Sequence, residues 1–281
     1  MMEKICDLHT HSTYSDGTLT PRELIDLAKQ QGLSAVALTD HNTVAGLPFF
    51  LEAARGSGVE AVPGIEFSTD YGDTELHILG LFIRPEHYGM ITARMEEMLE
   101  RKEHSNIELC EALKRAGFTL SYENIKASTP TGQVNRALIA AELVRKGYCA
   151  SIQQAFADYL HPRHGFFVPP KRPDAYETIA FIRSLGAVAV LAHPFLNLKT
   201  EEALRAFLPK ACQMGLQGME VYYPKFDDNQ TKLALQLAKE FSLQPSGGSD
   251  FHGENKPEIQ IGSGKGNLYL PISLLKGLKS C

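Results

Sequence analysis

The chain has 281 residues, 43% hydrophobic and 22% charged, enough for one large α/β core or for a core carrying an insertion. Its net charge of −5 argues against a broad basic surface for duplex nucleic acid, and no apolar run approaches the ~20 residues of a membrane span. Five scattered cysteines without a CxxC pair read as free thiols, and the first residues enter a strand with no apolar leader, so a cytoplasmic protein is expected.

A short apolar run, Ile5 to Leu8, leads into Asp7-Leu8-His9-Thr10-His11-Ser12-Thr13-Tyr14-Ser15-Asp16-Gly17. Residues i and i+2 of an extended strand point to one side, so His9 and His11 can aim their rings at one point. Asp16 follows in a glycine-containing turn that can fold back over the same mouth. Thr20-Pro21-Arg22-Glu23 predicts a helix start, with Thr20 as N-cap, Pro21 at N1 and Glu23 completing a capping box. Ser34 to Leu38 reads as a strand that stops at Thr39-Asp40-His41, and Ala45 to Arg55 as a helix. The next strand, Val59 to Pro63, ends at Gly64-Ile65-Glu66, and Glu75 to Leu81 carries His77 within a further strand. This alternation predicts parallel βα units with the chemistry at the C-terminal ends of strands.

From about Pro85 to Pro170 the rhythm stops. Met90 to Arg115, Asn135 to Lys146 and Ile152 to Leu160 read as helices, without strands that end in candidate ligands. Residues 87–170 are therefore expected to form a helical insertion, with 1–86 and 171–281 making one discontinuous barrel. The βα pattern then resumes. Helices are expected at Ala175 to Leu185, Glu201 to Met214 and Asn229 to Phe241. Strands are expected at Ala187 to Ala192, ending at His193-Pro194, at Gly218 to Tyr222, and at Leu243 to Gly248, running into Ser249-Asp250-Phe251-His252.

Six of the ten histidines (His9, His11, His41, His77, His193 and His252) fall in or just after predicted strands, as do Asp16, Glu66 and Asp250. Imidazole and carboxylate are the ligands of zinc, manganese and iron. Nine such groups exceed what one ion takes and suit two or three ions sharing a carboxylate. The motifs DLHTHSTYSDG, ALTDHNT, PGIEFS, LHILGL, AHP and GGSDFHG, in this order, resemble the polymerase and histidinol phosphatase (PHP) superfamily of metal-dependent phosphoesterases. The resemblance implies a distorted (β/α)7 barrel with an inserted small helical subdomain. It also implies three metal sites: His9, His11, Glu66 and Asp250; Glu66, His77 and His193; and Asp16, His41 and His252.

Three divalent ions against three carboxylates leave three positive charges, the complement of a phosphate monoester dianion and one hydroxide. The expected chemistry is attack on phosphorus by a water activated between the ions, Mn, Fe or Zn, with Asp250 passing a proton to the leaving group. Within the resemblance, Arg136 matches a phosphate-gripping arginine of the nucleotide-phosphatase-like branch, although Leu138 stands where that branch often has histidine. Lys171 and Arg172 are further candidates for the anion. Asp7 and Asp40 read either as partners of the histidines or as turn caps, and Tyr222 and Tyr223 as rim packing.

The substrate expected is a small phosphate monoester, the candidates being a nucleoside 5′-monophosphate, a 3′,5′-bisphosphate or the 5′ end of a short oligonucleotide, rather than a duplex or a membrane. A histidinol-phosphate-type phosphatase and a metal-dependent amidohydrolase are the alternatives. Glu66, the TDH motif and the terminal DFH speak against the amidohydrolase. A non-catalytic PHP copy would be expected to have lost ligands, and all nine are present.

Overall fold

Residues 4–128 and 134–281 are described by the computed structural model. The chain divides into two compact units. One takes the chain up to Ala93 and again from Arg172, and the other is Arg94–Lys171.

The first unit is a distorted seven-stranded barrel whose sheet order follows the chain. β1 (Cys6–Asp7), β2 (Ala35–Leu38) and β3 (Glu60–Tyr71) pair in parallel, with α1 (Pro21–Gln30) and α2 (Leu47–Ala54) between them. Thr20 caps α1 through the expected box with Glu23. The parallel reading then fails at one strand. β3 continues past Glu66, turns through Gly72-Asp73 with Gly72 at φ 58°, and returns as β4 (Thr74–Leu81), antiparallel to both β3 and β5 (Val188–Leu191). A two-residue turn opening on glycine joins antiparallel strands directly, whereas a parallel return needs a long crossover.

Period-two geometry explains what this reversal does. Val62, Gly64 and Glu66 occupy one face of β3, and Leu81, Leu79 and His77 occupy the matching face of β4. Because β4 runs backwards, its N-terminal half arrives at the mouth where β3 carries Glu66. Val62, Leu79 and Leu81 join Cys6, Leu8, Ala35, Ala37, Val188 and Val190 in the apolar core.

α7 (Ala175–Ser184) precedes β5, and the single turn α8 (Pro194–Asn197) and α9 (Glu201–Gln213) follow it. β6 (Leu216–Tyr222), α10 (Asp228–Glu240) and β7 (Gln244–Gly247) resume the parallel order. Past β7 the chain runs beside the histidine segment: Asp250 N–H donates to the His9 carbonyl at 2.9 Å, and His11 N–H to the Phe251 carbonyl at 2.9 Å. The C-terminal helix, Ser273–Lys279, adds Leu274, Leu275 and Leu278 to the same core.

The second unit holds most of a 28-residue helix, α3 (Tyr88–Arg115), which begins before its border, and the shorter helices α4 (Tyr122–Ala127), α5 (Arg136–Arg145) and α6 (Ile152–Ala155). Composition changes at Pro85, where a short 3-10 turn, Pro85–His87, leads into α3, and the units part within that helix, between Ala93 and Arg94. The unit has its own core, in which Leu109, Leu113, Ile125, Ile139, Leu143 and Phe167 are buried. The helix expected over Ile152 to Leu160 is α only to Ala155 and a π-helical turn from Phe156. Among the described residues, no helix is long and apolar enough to cross a membrane.

Close backbone packing locks the histidine segment in place. A Cβ added at Gly248 would lie 2.3 Å from His9 Cβ and 2.6 Å from its amide nitrogen. Backbone cannot yield as a flexible side chain does, so Gly248→Ala is expected to cost about 1–3 kcal/mol. A lowered thermal midpoint checks this, and an unchanged melting curve contradicts it.

Candidate metal centre

Glu66 is the hub of the site. Its side chain is fully buried, and five imidazoles face it. His77 Nδ1 and His193 Nε2 stand 2.8 and 2.9 Å from Oε1. His9 Nε2, His11 Nε2 and His41 Nδ1 lie 3.2, 3.2 and 3.1 Å from Oε2. Despite those distances, Oε2 makes no hydrogen bond of acceptable geometry, and neither does His41 Nδ1. The atoms converge on common points rather than on one another. His9 Nε2 and His11 Nε2 likewise face each other at 3.1 Å.

Asp250 Oδ1 approaches His11 at 3.3 Å, His252 at 3.5 Å and His9 at 3.6 Å. Asp16 reaches His252 at 3.3 Å and His11 and His41 at 3.7 Å each. All nine expected ligands thus share one cluster. It resolves into four overlapping groups whose atoms lie within 4.8 Å of one another: His9, His11 and Asp250; His9, Glu66 and His193; His41, Glu66 and His77; and His11, Asp16, His41 and His252. His9, His11 and His41 each serve two groups, an overlap that spacing along the chain does not reveal. The cluster is most open at Asp16, whose side chain is 54% exposed.

Protonation alone satisfies this arrangement poorly. Burial opposes charge on Glu66, but His41, His9 and His77 hold its carboxyl well below the usual range. Burial also acts against a charged His11, yet the Asp250 and Glu66 carboxylates beside it hold it up at about 9. His77, half-buried but flanked by Glu66 and Glu75, is held at about 10. Burial takes His41 down to about 4 against the pull of Glu66. Adjacent rings are driven to opposite protonation states, whereas divalent cations bind neutral imidazoles and carboxylates together. The donor set therefore fits metal ions.

Of the two readings open for Asp7 and Asp40, the structure shows the anchoring one. Asp7 accepts from backbone, namely Ser249 N at 2.9 Å, Gly262 N at 2.7 Å and His9 N at 3.3 Å. Asp40 accepts from Ser12 N, Ser12 Oγ and Ser15 Oγ, all at 2.7 Å, and so fastens the loop before Asp16. Both act as backbone and loop anchors, and neither meets an imidazole there. Glu220 does. Its Oε1 takes His9 Nδ1 at 2.9 Å, and its Oε2 takes the His193 amide at 2.6 Å. With its proton on Nδ1, His9 turns the Nε2 lone pair to the cluster. His252 is oriented in the same way by Nδ1 facing the Asp250 carbonyl at 2.8 Å.

Two further chains of contacts complete the surroundings. Glu75 receives His77 Nε2 at 3.3 Å and Arg172 at 2.8 Å, and Arg172 also holds Asp70 at 3.1 Å. Arg172 is thus engaged by carboxylates. Tyr223, expected to pack at the rim, donates its hydroxyl to Asp250 Oδ2 at 2.8 Å, and Lys256 Nζ reaches the same oxygen at 2.7 Å. Backbone strain gathers here as well: Asp250 has φ 55° and His193 φ 26°, a pattern that marks functional sites.

Within the helical unit, Arg136 opens α5 (Arg136–Arg145), and its guanidinium lies 4.2 Å from the Phe167 ring centre and 5.6 Å from that of Phe156. Lys171 ends that unit and is exposed.

The family model of the PHP domain matches residues 7–163, more than half of the chain. The chain belongs to the PHP domain family. It is 36% identical over 251 residues to a 5′-3′ exoribonuclease of Haemophilus influenzae, covering 89% of this chain and 91% of that protein. It is 29% identical over 258 residues to a 3′,5′-nucleoside bisphosphate phosphatase of Chromobacterium violaceum, covering 91% and 90%. A solved structure from Bifidobacterium adolescentis, named a candidate metal-dependent phosphoesterase, superposes with a TM-score of 0.77 at 27% identity and covers 99% of this chain and 96% of that one.

Glu220→Ala removes the acceptor that aims His9. Divalent metal binding is expected to weaken about 10–100-fold, measured by titration calorimetry with Mn²⁺. Unchanged affinity in a folded variant contradicts the orienting role.

Proposed function

We propose that this PHP protein is a metal-dependent phosphoesterase of the nucleotide-directed kind, hydrolysing small phosphate monoesters. The observation that carries the reading is the Glu66 hub, a buried carboxylate whose oxygens face five ring nitrogens beside Asp16 and Asp250. The exoribonuclease and nucleotide-phosphatase names of its relatives support nucleotides as the substrate class. Within that class we favour a nucleoside 5′-monophosphate, a 3′,5′-bisphosphate or the 5′ end of a short oligonucleotide over histidinol phosphate.

His9, His11, Asp16, His41, Glu66, His77, His193, Asp250 and His252 are assigned to two or three Mn, Fe or Zn ions. Such ions supply electrophilic neutralisation of the phosphoryl oxygens and acidify a water near neutral pH. The protein's own groups do the rest. Glu220 fixes the His9 tautomer and the His193 backbone, and Glu75 with Arg172 fixes His77. In hydrolysis the water oxygen bonds to phosphorus, the ester P–O bond breaks, and the leaving oxygen takes up a proton. We assign the transfer to Asp250, which takes the proton that the attacking water gives up and passes it to the leaving oxygen, with Lys256 2.7 Å from Oδ2 beside it. Arg136 and Lys171 are assigned to recognition of the substrate's anionic groups, with the helical unit as selector. The acidic net charge supports a short single-stranded or mononucleotide substrate rather than a duplex, and a cytoplasmic setting suits the free cysteines.

The test is phosphate release by metal-analysed protein from AMP, 3′,5′-adenosine bisphosphate, histidinol phosphate and a short 5′-phosphorylated RNA. Turnover of a nucleotide ester, lost in His9→Ala and after chelation, is expected. A protein holding two or three metals per chain that releases phosphate from none of them, or that hydrolyses amides instead, overturns the reading.

A further inference from the structure

The loop that carries His11 and Asp16 also carries a side chain the metal cluster does not use. Tyr14 stacks on Phe49 of α2, with ring centres 5.7 Å apart and planes at 23°. Both rings are exposed, Tyr14 at 39% and Phe49 at 60%. With Pro21, Arg22 and Glu52 they line a hollow of about 520 Å³, within the range of small-molecule sites.

This face is built into the frame of the metal centre. Tyr14 N–H donates to Ser12 Oγ, which is itself held by Asp40 at 2.7 Å. The start of α2 packs tightly against the same ring, since a Cβ at Gly46 would lie 3.1 Å from both Tyr14 and the Asp40 carboxylate. α2 in turn follows the loop that leaves His41. The ligand-bearing loop and the helix after His41 thus hold one aromatic pair, with Tyr14 only two residues before Asp16, whose side chain meets solvent.

We propose that the Tyr14–Phe49 pair is a nucleobase-stacking subsite, on which a base of the substrate lies while its phosphate is at the metal centre. The inference rests on the phosphoesterase reading above. Near-parallel exposed rings accept a further flat ring in continuation of their stack, and every base offers such a face, so binding is tolerant of sequence. Arg22, on the same wall, adds a cation that can lie against the base or face its phosphate. The subsite favours base-bearing esters over the corresponding sugar phosphates.

The experiment compares the full-length wild type with Phe49→Ala, a change on an exposed helical face, and with Phe49→Trp. Two readouts are taken: the ratio of kcat/KM for AMP to that for ribose 5-phosphate, and the Kd of a hydrolysis-resistant phosphorothioate-linked adenine trinucleotide. Phe49→Ala is expected to lower the AMP preference about tenfold, mainly through KM, and to raise the Kd by a similar factor. Phe49→Trp restores both. An AMP preference and a Kd that do not respond to Phe49→Ala overturn the subsite while leaving the phosphoesterase reading intact. Trinucleotide binding that depends on Phe49, in a protein that hydrolyses no phosphate ester, supports the subsite and overturns the reaction.

Discussion

A carboxylate sealed from water and ringed by five imidazole nitrogens is the constraint on which the rest of this molecule depends. An isolated buried carboxylate costs several kcal/mol, so Glu66 requires positive charge in its immediate surroundings. The rings cannot all supply it as protons, because burial and repulsion from its neighbours take His41 down while the carboxylates beside them hold His11 and His77 up. Metal ions resolve the conflict, since they bring charge without protonating the ring nitrogens that face them. Glu220, equally buried, fixes two of the surrounding residues at once, His9 through its ring and His193 through its backbone.

The barrel converts this local requirement into a shape. Alternation along each strand sends one set of residues inward, and the inward set changes from apolar to ligating along β3, from Val62 through Gly64 to Glu66. Reversal of β4 makes His77 part of the same layer although it lies in the first half of its strand. Glycines permit the closest approaches. At Gly17 a Cβ would stand 2.4 Å from the His11 carbonyl oxygen, and at Gly248 one would strike His9. The apolar floor, completed by the C-terminal helix, and the polar mouth are two ends of one pattern of alternation.

Much of the centre was legible in the sequence because its ligands sit in short segments with their own local geometry. His9 and His11 share a face two residues apart, and His41, His193, Asp250 and His252 each follow a recognisable apolar strand. The sense of β4 was harder to read, since direction depends on the Gly72-Asp73 turn rather than on the strands it joins. Glu220 was missed. Its one signal was an acidic residue inside the apolar run Gly218 to Tyr222, and a buried charge there had to have a partner. The contacts of Lys256 and Tyr223 with Asp250 join residues brought together by a loop and a strand end, which periodicity along the chain does not report. Asp7 and Asp40 show an open choice: each reads from the sequence as an imidazole partner or as a turn cap, and backbone amides and serine hydroxyls have the stronger claim.

The most direct test of this account is metal content and phosphate release in Glu66→Gln, a change that keeps the size of the side chain and removes its charge. The account predicts a folded protein that retains less metal than wild type after gel filtration and releases no phosphate from AMP. A variant with full metal content and undiminished turnover would show that the buried carboxylate is not the hub of the site.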